Sequence, residues 1–226
     1  MGFEYLYQIN ENPFGLSWEE WAAQWCNWAY SIPEIINPAN DKTGRYCGVN
    51  QSNENVWFLS GTFGNVTPVR RKCRIPAGKA IFFPVLVKED SFAEDYDLKT
   101  EEDLANRAKT ATDRYLHMSA SIDGVKIENL ETYRVRSKFF DLNFPNGNIY
   151  KVQAGLTRSV CDGFWVFIKP LAAGIHYIHF MGETELAENH TRNIVENREV
   201  YRSIWQHAKE ERTFILEVFY ELVISK

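Results

Sequence analysis

Hydrophobic positions along the chain recur with two spacings, and each change of spacing marks the boundary of an element. In SWEEWAAQWCNWAYSIP, residues 17–33, Trp18, Trp21, Trp25 and Trp28 lie three or four apart. At about 100° per residue they share an arc of about 80° on a helix. Ala22 and Ala29 extend that face, and Glu19, Glu20, Gln24 and Asn27 lie away from it. Ser17 with Glu20 forms a capping box, and Leu16 can staple against Trp21, so the helix begins at Ser17. Pro33 holds Ile32 away from helical angles and ends it. A tryptophan ridge backed by alanine suits a helix laid on a sheet. That role is favoured over a ligand platform, because so much exposed indole would promote aggregation.

From NPANDKTG (residues 37–44) onward the pattern is one of turns and short strands. VWFLSG (56–61) reads as a buried strand and KAIFFPVLV (79–87) as another, where Pro84 implies an edge or a bend. Thr100 with Asp103 caps a second helix, TEEDLANRAKTATDRYLHM (100–118), striped by Leu104, Ala108, Ala111 and Tyr115. Asp123-Gly124 between alternating apolar residues predicts a hairpin turn. YRVRSKFFDLNF (133–144) is strand, ending at a PNGN turn. FWVFIKPLAAGIHYIHF (164–180) predicts a second hairpin with its loop at residues 170–174. Residues 183–211 are polar, with helical spacing at Ile194, Tyr201, Trp205 and Ala208, and predict a third helix. In RTFILEVFYELVIS (212–225), Phe214, Leu216, Val218, Tyr220, Leu222 and Ile224 share one face of a strand. The sum is a mainly β (α+β) chain: an antiparallel β-sandwich, jelly-roll-like, with about three peripheral helices. No repeat or linker divides residues 1–226, so a single domain is expected.

Composition narrows the function classes. A chain of 226 residues can bury roughly 70% of its unfolded surface without staples. Aromatic content of 15% suits packed sheets, and a net charge of -5 argues against a nucleic-acid partner. No apolar run approaches the roughly 20 residues of a membrane span. MGFEYLYQINENPFG has an early Glu4 and no basic stretch before an apolar run, so no secretory signal is read and the cytoplasm is the default location. It also lacks the Ser or Thr of a myristoylation motif. Cys26, Cys47, Cys73 and Cys161 are too widely spaced for a CxxC metal site, and read without a leader they are free thiols. No metal and no cofactor are expected.

The blocks WCNWAYSIP (25–33), NPANDKTGRYC (37–47), VWFLSGTFG (56–64) and CRIPAGKAIFFPV (73–85) resemble a family of bacterial proteins, often secreted, to which no activity is assigned. DGFWV (162–166) and PLAAGIH (170–176) are weaker echoes. The resemblance covers about half the chain and implies a grouping, with no reaction attached. Members carry cysteines suited to an oxidising compartment. It therefore implies a Cys47–Cys73 disulfide and a secreted location, against the cytoplasmic default.

Candidate chemistry is sparse. In PVRRKCRIP (68–76), Arg70, Arg71, Lys72 and Arg74 would lower the pKa of an exposed Cys73 thiol. A bridge to Cys47, or a strand with its basic side chains in water, is the favoured reading. His176 and His179 lie three apart on a strand and face opposite ways, so they cannot share a metal. His176 alone would serve as an acid or base beside a cleft, although a packed or hydrogen-bonded histidine is favoured. VLVKEDSFAEDYD (85–97) supplies Glu89, Asp90, Glu94, Asp95 and Asp97, without the D-x-D-x-D-G order of a calcium loop, and reads as a solvated acidic loop. Asn37, Asn40 and Asp41 are explained by Asx turns. The sequons at Asn50, Asn65 and Asn189 are expected by chance in an Asn-rich chain.

Three functions compete. The first is non-catalytic binding of a small molecule or carbohydrate in a sandwich cleft. Trp57, Phe82, Phe83 and Trp165 would line it, with Arg70, Lys79 and His176 as polar anchors. The second is a small-molecule enzyme with His176 or Asp90 as acid–base groups and Lys79 stabilising negative charge. The third is a self-assembling subunit, a homo-oligomer built through the helix at 191–211 or the last strand.

Overall fold

Two five-stranded sheets pack face to face in the computed structural model, which describes residues 5–63, 68–94, 97–186 and 213–225. The first sheet runs β1 (Val56–Phe58), β3 (Ala80–Ser91), β8 (Gly155–Ile168), β6 (Arg134–Arg136), with β7 (Phe140–Phe144) also on β8. The second runs β2 (Val69–Pro76), β10 (Thr213–Ser225), β9 (Gly174–Glu185), β4 (Tyr115–Ile122), β5 (Val125–Lys126). This is the sandwich the strand pattern predicts. Its sheets are mixed, because β1 pairs with β3 and β2 pairs with β10 in parallel. Two α-helices accompany them among the described residues, α1 (Trp18–Tyr30) and α2 (Glu101–Thr112).

Helix α1 starts where its capping box places it. The Ser17 amide donates to the Glu20 carboxylate at 2.9 Å, and the Glu20 amide donates to the Ser17 hydroxyl at 3.4 Å. The four tryptophans are buried against the first sheet, over Phe82, Trp165 and Phe167. Each indole N–H also holds a different segment: Trp18 donates to Gln8 O, Trp21 to Pro13 O, Trp25 to Leu59 O and Trp28 to Val49 O, at 2.8–3.1 Å. The ridge is thus core wall and loop clamp together.

Three expectations are corrected. Residues 164–180 do not form a hairpin: β8 pairs with β3 in the first sheet while β9 pairs with β10 in the second. The loop between them arches from one sheet to the other, a choice that alternation alone does not specify. Helix α2 stops at Thr112, because pairing of Tyr115–Ile122 with β9 overrides the helical spacing there. The helix expected over 183–211 begins inside β9, which runs to Glu185, and from residue 187 it lies outside the described residues. The Asp123-Gly124 turn does join β4 to β5, with φ of 50° and 79°. On β10, Leu216, Val218, Tyr220, Leu222 and Ile224 are buried between the sheets.

Two close approaches fix the layers. Strand β1 reaches only Ala80–Phe82, so Pro84 lies beyond that ladder and needs no donor there. The register of β3 on β8 then shifts between Pro84 and Leu86. Leu86 meets the second sheet at Gly182, where a Cβ would lie 2.3 Å from Leu86 Cγ. At the flank of β2, the Lys72 amide donates to Thr43 O at 2.9 Å and Cys47 is disulfide-bonded to Cys73. Gly44, at φ +91°, sits so close that a Cβ would lie 2.3 Å from Lys72 O.

Inside the same strand, Arg71 is buried and anchors both flanking loops. Its Nε donates to Asp41 O at 2.6 Å. Its Nη1 donates to Ser60 O, Gly61 O and the Tyr220 hydroxyl at 2.7, 3.0 and 2.8 Å.

Gly44→Ala and Gly182→Ala should each lower unfolding stability by about 2 kcal/mol, since backbone or a packed core residue must move. Urea denaturation measures this. Midpoints equal to that of the parent chain would show that the sheets and loop are not so closely apposed.

Candidate functional site

The polar face of α1 borders an open groove of about 730 Å3. Gln24, Asn27 and the edge of Trp28 come from α1 and Ser31 from its C-cap; Asn50, Ser52 and Asn53 come from the following loop. Phe58 of β1 and Phe140 of β7 complete the walls with Ala23, and among the described residues no charged side chain lines the groove.

The loop wall is tied down at several points. The Gln51 amide donates to Cys47 O at 3.0 Å and Phe58 O at 2.8 Å, and accepts from the Phe58 amide at 3.0 Å. Asn53 Oδ1 accepts from the Asn55 and Val56 amides, both at 2.9 Å. Lys79 Nζ donates to Asn53 O at 2.6 Å. Asn50 takes φ of 52°, a left-handed conformation that asparagine tolerates. On the helix side, Asn27 donates to Asp141 O at 2.9 Å. The result is a held set of neutral donors and acceptors beside two aromatic edges, suited to hydroxyl groups on a ligand.

The anchors proposed from the sequence do not line one cleft. Phe82 and Phe83, neighbours on β3, face opposite sides: Phe82 stacks on Trp165 beneath α1, while Phe83 meets Phe180 between the sheets. Both pairs are buried, and Trp57 is buried in the core between the sheets. Arg70 lies on the outer face of the second sheet, its guanidinium 4.1 Å from the Phe219 ring centroid. His176 is engaged at both ring nitrogens, with Asp123 Oδ2 at 2.7 Å and Ala172 O at 3.0 Å. Lys79 alone touches the groove wall, as the support of Asn53.

The acid–base set is dispersed as well. Asp90 is buried and paired with Lys88 at 2.8 Å, about 35 Å along β3 from Lys79. Cys73 is bonded to Cys47 and offers no thiol. Among the described residues no three His, Cys, Asp or Glu side chains converge to hold a metal. Strand β10 pairs with β9 along residues 213–224 and with β2 over Val218–Ser225.

The solvated acidic loop expected from residues 85–97 is corrected at its start, where Glu89 and Asp90 are buried in β3. Extension of β3 to Ser91 carries Glu89 into the molecule, where the Ser159 hydroxyl donates to its carboxyl. Glu94 shares a hydrogen bond with it, and the Ser91 hydroxyl donates to Glu94 at 3.0 Å. Burial pushes the Glu89 carboxyl up to about 7, against the opposing pull of Glu94, Lys88 and Ser159. The Cys26 thiol, on the buried face of α1, is driven well above its ordinary range by burial. A two-residue alternation continued past Val87 places Glu89 on the inward face, and that was the signal available.

No family model matches the chain, and no curated protein matches it. Among solved structures, that of PbICP-C in complex with falcipain-2 is similar at a TM-score of 0.25 and 12% identity, over 74% of this chain and 98% of that one. A likeness of that size carries no argument.

A Glu carboxyl raised to about 7 from 4.5 binds its proton more tightly in the folded state. Its contribution is therefore full below about pH 4.5 and is lost as pH rises through about 7. Glu89→Gln should remove a stability loss on the order of 3 kcal/mol between pH 5 and 8. Urea midpoints across that range decide it: parallel profiles for variant and parent would refute a protonated, buried Glu89.

Proposed function

We propose that this chain is a non-catalytic binding protein whose groove beside α1 takes a small neutral polyhydroxylated ligand, carbohydrate in class. The observation that carries the reading is the lining: side-chain amides and hydroxyls from Gln24, Asn27, Ser31, Asn50, Ser52 and Asn53, beside Trp28 and Phe58, without a charge among the described residues. Neutral amides donate and accept in turn, as paired hydroxyl groups require, and a charged ligand would find no counter-ion there. Fixing the loop through Gln51 and Lys79 lowers the ordering cost of binding. The dispersal of His176, Asp90 and Lys79 favours binding over catalysis. The Cys47–Cys73 disulfide favours a setting outside the reducing cytoplasm.

Isothermal titration against a panel of neutral mono- and oligosaccharides, with tryptophan fluorescence as a second readout, tests the proposal. Saturable binding is expected. Gln24→Ala should weaken it about tenfold through one lost hydrogen-bonding group, and Ser52→Trp should block the groove. Unchanged circular dichroism would show that both variants fold. A blank panel, or binding that survives Ser52→Trp, would overturn the assignment.

A further inference from the structure

We infer that the outer flank of β2 is a docking strip for a linear acidic polysaccharide, one bearing carboxylate or sulfate groups. The surface is separate from the groove and uses none of its lining residues.

Strand β2 alternates strictly: Val69, Arg71, Cys73 and Ile75 are buried, while Arg70, Lys72 and Arg74 are exposed. Same-face positions on a strand lie about 6.6 Å apart, so three cations stand in a row about 13 Å long. The residues of β10 opposite them are Phe219, Glu221 and Val223. Glu221 holds Lys72 at 2.6 Å, and Arg70 and Arg74 make no ion pair among the described residues. The loop fastened along the same edge by Thr43 and Cys47 adds Lys42 and Arg45, exposed and likewise without an ion pair among the described residues. Four cations without an ion pair among the described residues thus stand along one edge of a chain whose net charge is -5.

Two of these cations are held for recognition. The Arg70 guanidinium lies over Phe219, whose other neighbour His179 stacks at 4.2 Å and an interplanar angle of 14°. Arg45 lies over Tyr46 at 5.5 Å. A guanidinium resting on a ring keeps its N–H fork free for a carboxylate or sulfate and loses less freedom on binding.

The same stacking argues against a single-stranded nucleic acid, which needs free ring faces for its bases. In this strip, Arg70 and His179 occupy Phe219, and Arg45 lies over Tyr46. A row one strand wide fits a linear chain better than a plane of lipid headgroups.

The test uses the full chain on immobilised heparin as a sulfated polysaccharide and on polygalacturonate as a carboxylated one, over about 50 to 200 mM salt. Retention at the low end and loss at the high end are expected for at least one of them. Arg70→Ala with Arg74→Ala should weaken binding about tenfold or more and reduce the salt slope by about two. Lys126→Ala, on β5 at the opposite edge of the second sheet, should change neither. The inference is overturned by lack of retention on both polymers at about 50 mM salt, or by equal weakening in Lys126→Ala. Tighter binding to single-stranded DNA or to vesicles of anionic phospholipid would overturn it as well.

Discussion

Arg71 carries a positive charge into the sandwich and directs its hydrogen bonds to uncharged oxygens. A buried charge costs several kcal/mol unless its donors are satisfied, and the planar fork of arginine allows several oxygens to be met at once. Four of them are backbone carbonyls, of Ala39, Asp41, Ser60 and Gly61, and a fifth is the Tyr220 hydroxyl. One side chain therefore joins two loops and strand β10 of the second sheet. The loop at residues 37–53 depends on it at one end and on the disulfide in its middle. Asp41 completes the corner: burial opposes its charge, but the amides of Tyr46 and Thr43 hold its carboxyl below the ordinary range. Both surfaces argued to bind ligands draw on this one fastened loop, which supplies Asn50, Ser52 and Asn53 to the groove and Lys42 and Arg45 to the basic edge.

The tryptophan helix shows how a single element serves packing and site together. Its buried face spends indole area on the sheet and indole N–H groups on four separate segments. The positions left over, Gln24 and Asn27, with Ser31 at the C-cap, are the polar turns of the same helix, and they give the groove its neutral chemistry. Charge was confined to other places, including Glu20 at the capped end, where a carboxylate meets the positive end of the helix dipole.

Much of the frame was legible because its causes are local. The capping boxes at Ser17 and Thr100, the Asp123-Gly124 turn and the alternating face of β10 are each decided by a few neighbouring residues. Partner choice was not legible. Nothing in residues 164–180 states that β8 and β9 belong to different sheets, because alternation gives a strand two faces without naming its neighbours. The same limit hid the two parallel pairings. The groove escaped for a related reason: its walls come from residues 23–31, 50–53, 58 and 140, brought together only by the fold. Aromatic residues chosen as anchors were large and apolar, and Trp57, Phe83 and Trp165 were taken by the core for those very properties. Glu89 was legible in principle, by carrying the period of β3 two residues further.

The position of β10 has a consequence for how the molecule is assembled. It is the last described strand in the chain, yet it lies inside its sheet, between the edge strand β2 and β9. Arg71 and Tyr220, which meet across β2 and β10, are 149 residues apart in sequence. Closing such a loop precedes any reward from the contacts it permits, so sheets of this topology form slowly. Until β10 arrives, β2 has no ladder on its inner side, and β9, paired with the β4–β5 hairpin, has an open edge. The second sheet is thus completed from within, and the last strand inserted joins the edge strand β2 to the other three, which it cannot meet without β10.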